Sequence, residues 1–383
     1  MRLSVADGTV TGLLDGSSYY FFDASAQISG LDARSDQTSW TAPLATATWP
    51  DNTWVCPVMA DDAHNVYAMA SNYQAGDGPV PVFLTAVDKT TGQVAWRYAP
   101  PTTQQSVATE CGNVLNYSIT PTQQGLLLTV FEWLGNNLNQ YTGYSEMLDP
   151  ATGAKLWHSN TEAQATSQGD FGLATSATTL ADGSTQTTLT SIDLASGNLG
   201  ATIEVITTPS GQWAPSYQIL GQSGDDLVIA QQVMSIEDPP YGALRITTSI
   251  LRVSSTTGAS TVAPMGLSDN DFDICALATN DMLVCNRLDQ PTTAFGISLV
   301  DGTTCWHQTY TDADDYESGV APLLFGGYLY GTTSGGTFAL DTQSGVVARV
   351  SLAHQLAAVN QNGAVFEVAS DDGTQLWWAP ALM

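Results

Sequence analysis

The segment Thr85-Ala-Val-Asp-Lys-Thr-Thr-Gly-Gln-Val-Ala-Trp96 decides how this chain folds, because the chain repeats it. A second copy reads Glu146-Met-Leu-Asp-Pro-Ala-Thr-Gly-Ala-Lys-Leu-Trp157, again with Asp four residues before Gly and Trp four residues after it. Asp193, Ser196 and Gly197 keep the frame with Ala201 at the Trp position, and Asp341, Ser344 and Gly345 keep it with Arg349 there. Weaker copies centre on Gly258 and on Gly302 with Trp306, and the earliest runs from Asp32 through Asp36 to Trp40. The phrase is turn chemistry: the Asp carboxylate accepts amides further round the turn, and Gly takes the left-handed conformation that other residues resist. Alternating apolar residues on both sides, Leu84 and Ala86 before, Val94 and Trp96 after, give the period of half-buried strands. Each copy is therefore a strand–turn–strand unit.

The turn positions 36, 92, 153, 197, 258, 302 and 345 are separated by 56, 61, 44, 61, 44 and 43 residues. Spacings of this size suit a unit of four short strands, as in a propeller blade. The intervals hold the remaining strands. Between Trp306 and Asp341, Val320–Phe325, Tyr328–Thr332 and Thr337–Leu340 read as three of them.

The pattern Ala86-Val-Asp88, Thr91-Gly92, Trp96 resembles the tryptophan-docking repeat of PQQ-type propellers, which include quinoprotein dehydrogenases and BamB-like outer-membrane assembly lipoproteins. The resemblance covers nearly the whole chain and implies that each Trp packs between neighbouring blades. The expected architecture is all-β, a single propeller domain over residues 1–383 with four-stranded blades. After Gly345, Leu356–Val359, Gly363–Ala369 and Asp372–Trp378 supply three strands with no fourth, while Met1–Val5 is a spare strand at the other end. Pairing the two closes an eight-bladed ring and removes its open edges. Seven blades with a frayed tail is the alternative.

The formal charge of −28 comes from missing base rather than excess acid, since only 12% of residues are charged and Lys89 and Lys155 are the only lysines. Such a balance opposes nucleic acid and anionic membrane faces, which need cationic patches. A Thr-, Ser- and Gln-rich, lysine-poor surface points to a secreted or cell-surface protein, with any signal or anchor lying outside the given sequence. No apolar run reaches the length of a transmembrane helix. Cys275 and Cys285 flank a probable hairpin turn at Thr279–Asp281, and Cys56 and Cys111 lie at the starts of successive blades. Two disulfides with Cys305 left over fit an oxidising compartment; five buried free thiols are the alternative.

Binding chemistry is expected on the face where second strands pass to third strands. Three long connections fall there, Ser71–Pro81, Glu132–Ser145 and Met234–Thr247, while the Thr-Gly turns on the other face stay uniform. Trp54, Trp133, Tyr141, Tyr144, Trp213, Tyr241 and Tyr316 lie in or near these connections. Rings and amides mixed in this way suit a glycan or an extended peptide. For any single ring, anchoring its own loop is the simpler role.

Asp269, Asp271 and Asp273 open like a calcium loop, but Ile274 and Asn280 stand where an EF-hand needs Gly and Glu. An irregular calcium site remains open there or at Asp312, Asp314, Asp315 and Glu317. His158 and His307 each follow a repeat Trp and read as structural. No His-Glu-x-x-His, Cys-x-x-Cys or Gly-x-Ser-x-Gly occurs. The resemblance implies an adjacent cysteine pair over any quinone, and no two cysteines here are neighbours, so PQQ is not expected.

The reading is a monomeric, non-catalytic binding or scaffolding propeller at the cell surface, recognising protein or glycan. The alternative is an extracellular polysaccharide-acting enzyme using Glu132, Glu237 or Glu317, whose test is the carboxylate separation.

Overall fold

A computed structural model describes residues 12–22, 27–32, 35, 37–44, 58–71, 82–101, 115–133, 141–167, 169–210, 212, 214–236, 244–254, 257, 259–262, 272–279, 281–287, 290–309, 323–325, 327–333, 336–349, 355–361, 363–370 and 373–380. Among them there is no helix. The strands form antiparallel sheets in simple sequence order: seven sheets of four strands and a last one of three. We number them 1 to 8, covering residues 12–43, 58–98, 115–159, 162–208, 216–262, 272–309, 323–349 and 355–380. The first strand of each sheet lies beside the first strand of the next, and that of sheet 8, Gln355–Asn360, lies beside that of sheet 1, Gly12–Asp15.

The repeat does locally what its residues dictate. Asp88 accepts the amides of Thr90 and Thr91 at 3.0 and 2.7 Å and the Thr91 hydroxyl at 2.8 Å. Those bonds hold its carboxyl below the ordinary range, the Thr91 hydroxyl contributing most. Asp341 is held low in the same way, by Ser344. In sheets 5 and 6 a serine replaces the Asp: Ser254 accepts from Thr257 and Ser298 from Val300, each through one amide.

The tryptophans join the sheets. The indole nitrogens of Trp40, Trp96, Trp157 and Trp306 donate to the carbonyls of Lys89, Pro150, Leu194 and Thr342, at 2.8 to 2.9 Å. Each acceptor is the residue after the turn Asp of the next sheet. The ring then lies on the turn glycine of that sheet: Trp40 on Gly92, Trp96 on Gly153, Trp157 on Gly197 and Trp306 on Gly345. All four glycines have φ between 68° and 72°. A Cβ built on Gly197 would meet the Trp157 ring at 2.7 Å. The glycine therefore serves both the left-handed turn and the docked indole. Burying most of a Trp removes about 150–250 Å² from water, which stabilises each such seam by roughly 4–6 kcal/mol before entropy is counted.

An apolar cluster fills each seam from sheets 1 and 2 through sheets 6 and 7. Polar groups close the inner edges. The inner edge of the first strand of sheet 4 is satisfied from sheet 3: Ser145 Oγ accepts the Ala163 amide at 2.6 Å, and Thr129 Oγ1 donates to the Ala163 carbonyl. Sheet 4 does the same for sheet 5 with one side chain: Gln164 Nε2 donates to the Tyr217 carbonyl and its Oε1 accepts the Ile219 amide, at 2.6 and 3.0 Å. Unpaired strand edges are costly, and these side chains remove them.

Cys275 and Cys285 stand directly opposite one another in the first two strands of sheet 6 and form a disulfide, with Cα atoms 4.1 Å apart. Cys305 is free and exposed on the outer strand of that sheet. Cys56, Cys111 and the spare N-terminal strand lie outside the described residues.

Candidate functional site

Sheet order fixes two faces. Links between sheets and the connections from second to third strands emerge on one; first-to-second and third-to-fourth turns emerge on the other. Residues 72–81, 134–140 and 237–243 are second-to-third connections, in sheets 2, 3 and 5, so all three belong to the link face. They are shorter than the sequence suggests, because Glu132, Trp133, Tyr141–Ser145, Met234–Ile236 and Leu244–Thr247 are strand residues.

Trp133 and Tyr141 are paired across the end of the sheet 3 hairpin, at the rim of the link face. Tyr144 corrects the expectation of a surface ring. It is buried in the core between sheets 2 and 3, its ring 5.4 Å from that of His158 and its hydroxyl donating to the Pro101 carbonyl at 2.8 Å. Trp54, Trp213, Tyr241 and Tyr316 lie outside the described residues, as do Glu237, Glu317 and the Asp312–Glu317 group.

Sequence reasoning passed over two carboxyls. Glu146, fully buried, accepts from the Tyr98 hydroxyl of sheet 2, from Lys155 Nζ at 3.1 Å and meets His158 Nδ1 at 3.1 Å. His158 Nε2 meets Asn160 Oδ1 at 2.9 Å. Burial and the Glu146 carboxylate push the Tyr98 hydroxyl up, so it stays a donor. This network is a strut between sheets 2 and 3, consistent with the structural reading of His158. His307 likewise faces a ring of its own sheet, Phe295.

Glu162 is different. It opens the first strand of sheet 4 on the link face, is only 7% exposed, and among the described residues has no hydrogen-bond or ion-pair partner. Its side chain lies flat against Gly143: a Cβ on that glycine would come within 2.0 Å of its Cγ and 2.3 Å of its Oε1. Burial alone pushes this carboxyl up to about 8, so it is mostly neutral at pH 7. A strand-opening Glu carries no sequence signal for this, because its burial depends on a glycine in the preceding sheet.

Four cationic side chains are committed internally. Lys89 spans Asp15 and Asp61 at 2.6 Å each, Lys155 meets Glu146, Arg97 donates to the Pro43 and Leu44 carbonyls, and Arg252 meets Asp226 at 3.2 Å. Among the described residues, no three His, Cys, Asp or Glu side chains come together as a metal site. Of the described cysteines, Cys275 and Cys285 bridge two strands and Cys305 stands on an outer strand.

The comparisons agree with this architecture. A family model described as outer membrane protein assembly factor BamB matches residues 5–238. Among solved structures, BamB from Moraxella catarrhalis aligns over 99% of this chain and 95% of its own, at 16% identity and a TM-score of 0.51. A europium-containing methanol dehydrogenase aligns over 98% and 83%, at 12% identity and 0.52. Saccharomyces cerevisiae Sqt1 aligns over 97% and 95%, at 10% identity and 0.53. At these identities the structural likeness establishes the propeller fold alone. No curated protein matches the chain. The family match covers well over half of the sequence, through the repeat whose tryptophans dock from sheet to sheet: the chain belongs to the BamB family of PQQ-like β-propellers.

Proposed function

We propose that this protein is a non-catalytic scaffold that binds a protein partner through its link face, at the cell surface or within the cell envelope. One observation carries the reading: the two faces are spent differently. On the turn face, Asp, Thr and Gly side chains and backbone are consumed in docking tryptophans and bracing turns. On the link face, sequence and length vary, and the second-to-third connections of sheets 2, 3 and 5 are the longest. Rigid scaffolds with variable loops on one side are where recognition concentrates.

Membership of a family described as outer-membrane assembly factors supports a protein partner and an envelope location. The Cys275–Cys285 disulfide fits an oxidising compartment. We read the ring as eight-bladed, with residues 2–5 as the fourth strand of sheet 8; its three strands and the adjacency of sheets 8 and 1 support this.

The test is site-specific photocrosslinking in the native host. A photoreactive residue at position 133 is compared with one at Thr90, exposed on the turn face. Protein adducts from position 133 and none from position 90 are expected. Adducts from position 90 alone, or from neither, would remove the link face as the binding surface.

A further inference from the structure

We propose that Glu162 is the floor of a proton-linked site on the link face that receives a lysine or arginine side chain from the partner. The inference deepens the link-face reading and rests on it for the partner, though the carboxyl stands on its own geometry.

Four observations converge. Among the described residues Glu162 has no hydrogen-bonding or charged partner, yet it is only 7% exposed. Buried polar groups in folded proteins are nearly always paired, so an unpaired carboxyl calls for a missing partner. Next, the group cannot withdraw. Its neighbour Ala163 is held at both backbone atoms by Ser145 and Thr129, and Gly143 fits directly beneath the Glu162 side chain.

The link that precedes Glu162 is also the shortest between neighbouring sheets. Asn160 and Thr161 alone link the last strand of sheet 3, Lys155–Ser159, to the first of sheet 4, Glu162–Ala165. Every other link between sheets is longer, from residues 350–354 to residues 99–114. Last, Lys89, Lys155 and Arg252 are already paired within the protein, and its net charge of −28 draws basic segments toward it.

Tyr144, Glu146 and Tyr217 on the packed strands are engaged elsewhere. On the third strand of sheet 3, Tyr144 donates to Pro101 and Glu146 binds Tyr98, Lys155 and His158, all on the side away from sheet 4. Glu132 stands at the same end of the neighbouring strand, its backbone paired with Thr142 next to Gly143, and Tyr217 of sheet 5 donates to Glu204 at 3.0 Å. Tyr117, on the first strand of sheet 3, packs against the cluster between sheets 2 and 3. None of them shifts the Glu162 proton, which burial alone holds. An arriving ammonium or guanidinium reverses that balance: the O–H bond of the carboxyl breaks, the proton leaves to solvent, and the carboxylate pairs with the cation.

Non-specific attraction to an acidic protein releases no proton from this residue, so proton release is the discriminating readout. Tetralysine is titrated calorimetrically into the full chain at pH 7, in phosphate and in Tris, whose ionisation enthalpies differ. Wild type should release most of one proton per peptide bound. Glu162→Gln should lose that release and bind about tenfold more weakly. A readout on wild type alone guards against a misfolded variant: affinity should rise from pH 6 to about pH 8 and then level off. Equal proton release in wild type and Glu162→Gln, or an affinity flat across that range, overturns the inference. Either result leaves the link-face reading standing, because that reading is decided by the crosslinks at position 133.

Discussion

Trp157 and Val262 hold the same repeat position, four residues past the turn glycine, in sheets 3 and 5. The indole is 9% exposed, bonded to Leu194 and laid on Gly197 of the next sheet, whereas the valine is 66% exposed. The seams they border are nevertheless both filled. Between sheets 3 and 4, the Trp completes a cluster of Leu127, Met147, Ala163, Ala174, Ile192 and Leu194. Between sheets 5 and 6, Val228, Ala230, Ile250, Leu283, Ile297 and Leu299 pack around the Cys275–Cys285 disulfide with no docked ring. The seam between sheets 4 and 5, where Ala201 replaces the Trp, is bridged by the Gln164 amide and by Glu204, which accepts from Tyr217 and from Gln231. Docking is thus one way neighbouring sheets are held together, beside apolar packing and side-chain bridges, and the seams between sheets 4 and 5 and sheets 5 and 6 do without it.

The largest effect should come from removing a docked ring. Trp157→Ala should cost about 3–5 kcal/mol in urea unfolding, the range for truncating a buried Trp. Val262→Ala, at the same repeat position, should cost less than about 0.5 kcal/mol. Similar losses for the two would mean that the ring contributes little and that the inner clusters alone hold the seams.

A smaller effect separates what the turn glycine does. Gly197 has φ +72° and the Trp157 ring 2.7 Å from a built Cβ; Gly224 has φ +60° and nothing within 4 Å. Gly224→Ala should cost about 1 kcal/mol from the backbone alone, and Gly197→Ala about 2–3 kcal/mol because overpacking is added. In a Trp157→Ala background the Gly197→Ala cost should fall to that of Gly224→Ala, since the two residues no longer touch. Simple additivity would show that the ring and the glycine are independent.

These contrasts also mark what could be read from the sequence. The Asp–Gly–Trp offsets carry both the turn and the docking, because all their partners lie at fixed repeat positions; the strands around Gly345 and the bridged pair Cys275–Cys285 follow from the same local logic. The site was less legible. Tyr144 looks like a loop aromatic, but the strand Tyr141–Leu148 is covered on both sides, with Tyr144 and Glu146 facing sheet 2 and Ser145 facing sheet 4. A strand buried on both faces has no alternation to show which side a ring takes. Glu162 is hidden for another reason: its burial comes from Gly143 and from the shortness of a link, neither of which is a pattern of residue types.

The smallest expected effect is a gain. Sheet 6 keeps the receiving half of the docking motif, with Gly302 at φ +70° and Leu299 one residue past Ser298, in the place whose carbonyl takes the indole elsewhere. Val262 already sits on the outer strand Ser260–Val262, paired with Leu251 and exposed. Val262→Trp should let an indole reach that turn, burying apolar surface and adding one hydrogen bond. Ordering a new ring consumes part of that, so the expected gain is about 1 kcal/mol in urea unfolding. The same substitution in a Cys275→Ala, Cys285→Ala background should stabilise by a similar amount, because the disulfide lies on the inner strands and the docked ring on the outer one. No gain in either background would mean that the seam between sheets 5 and 6 differs in geometry as well as in residues, and that its turn has lost the seat for the ring.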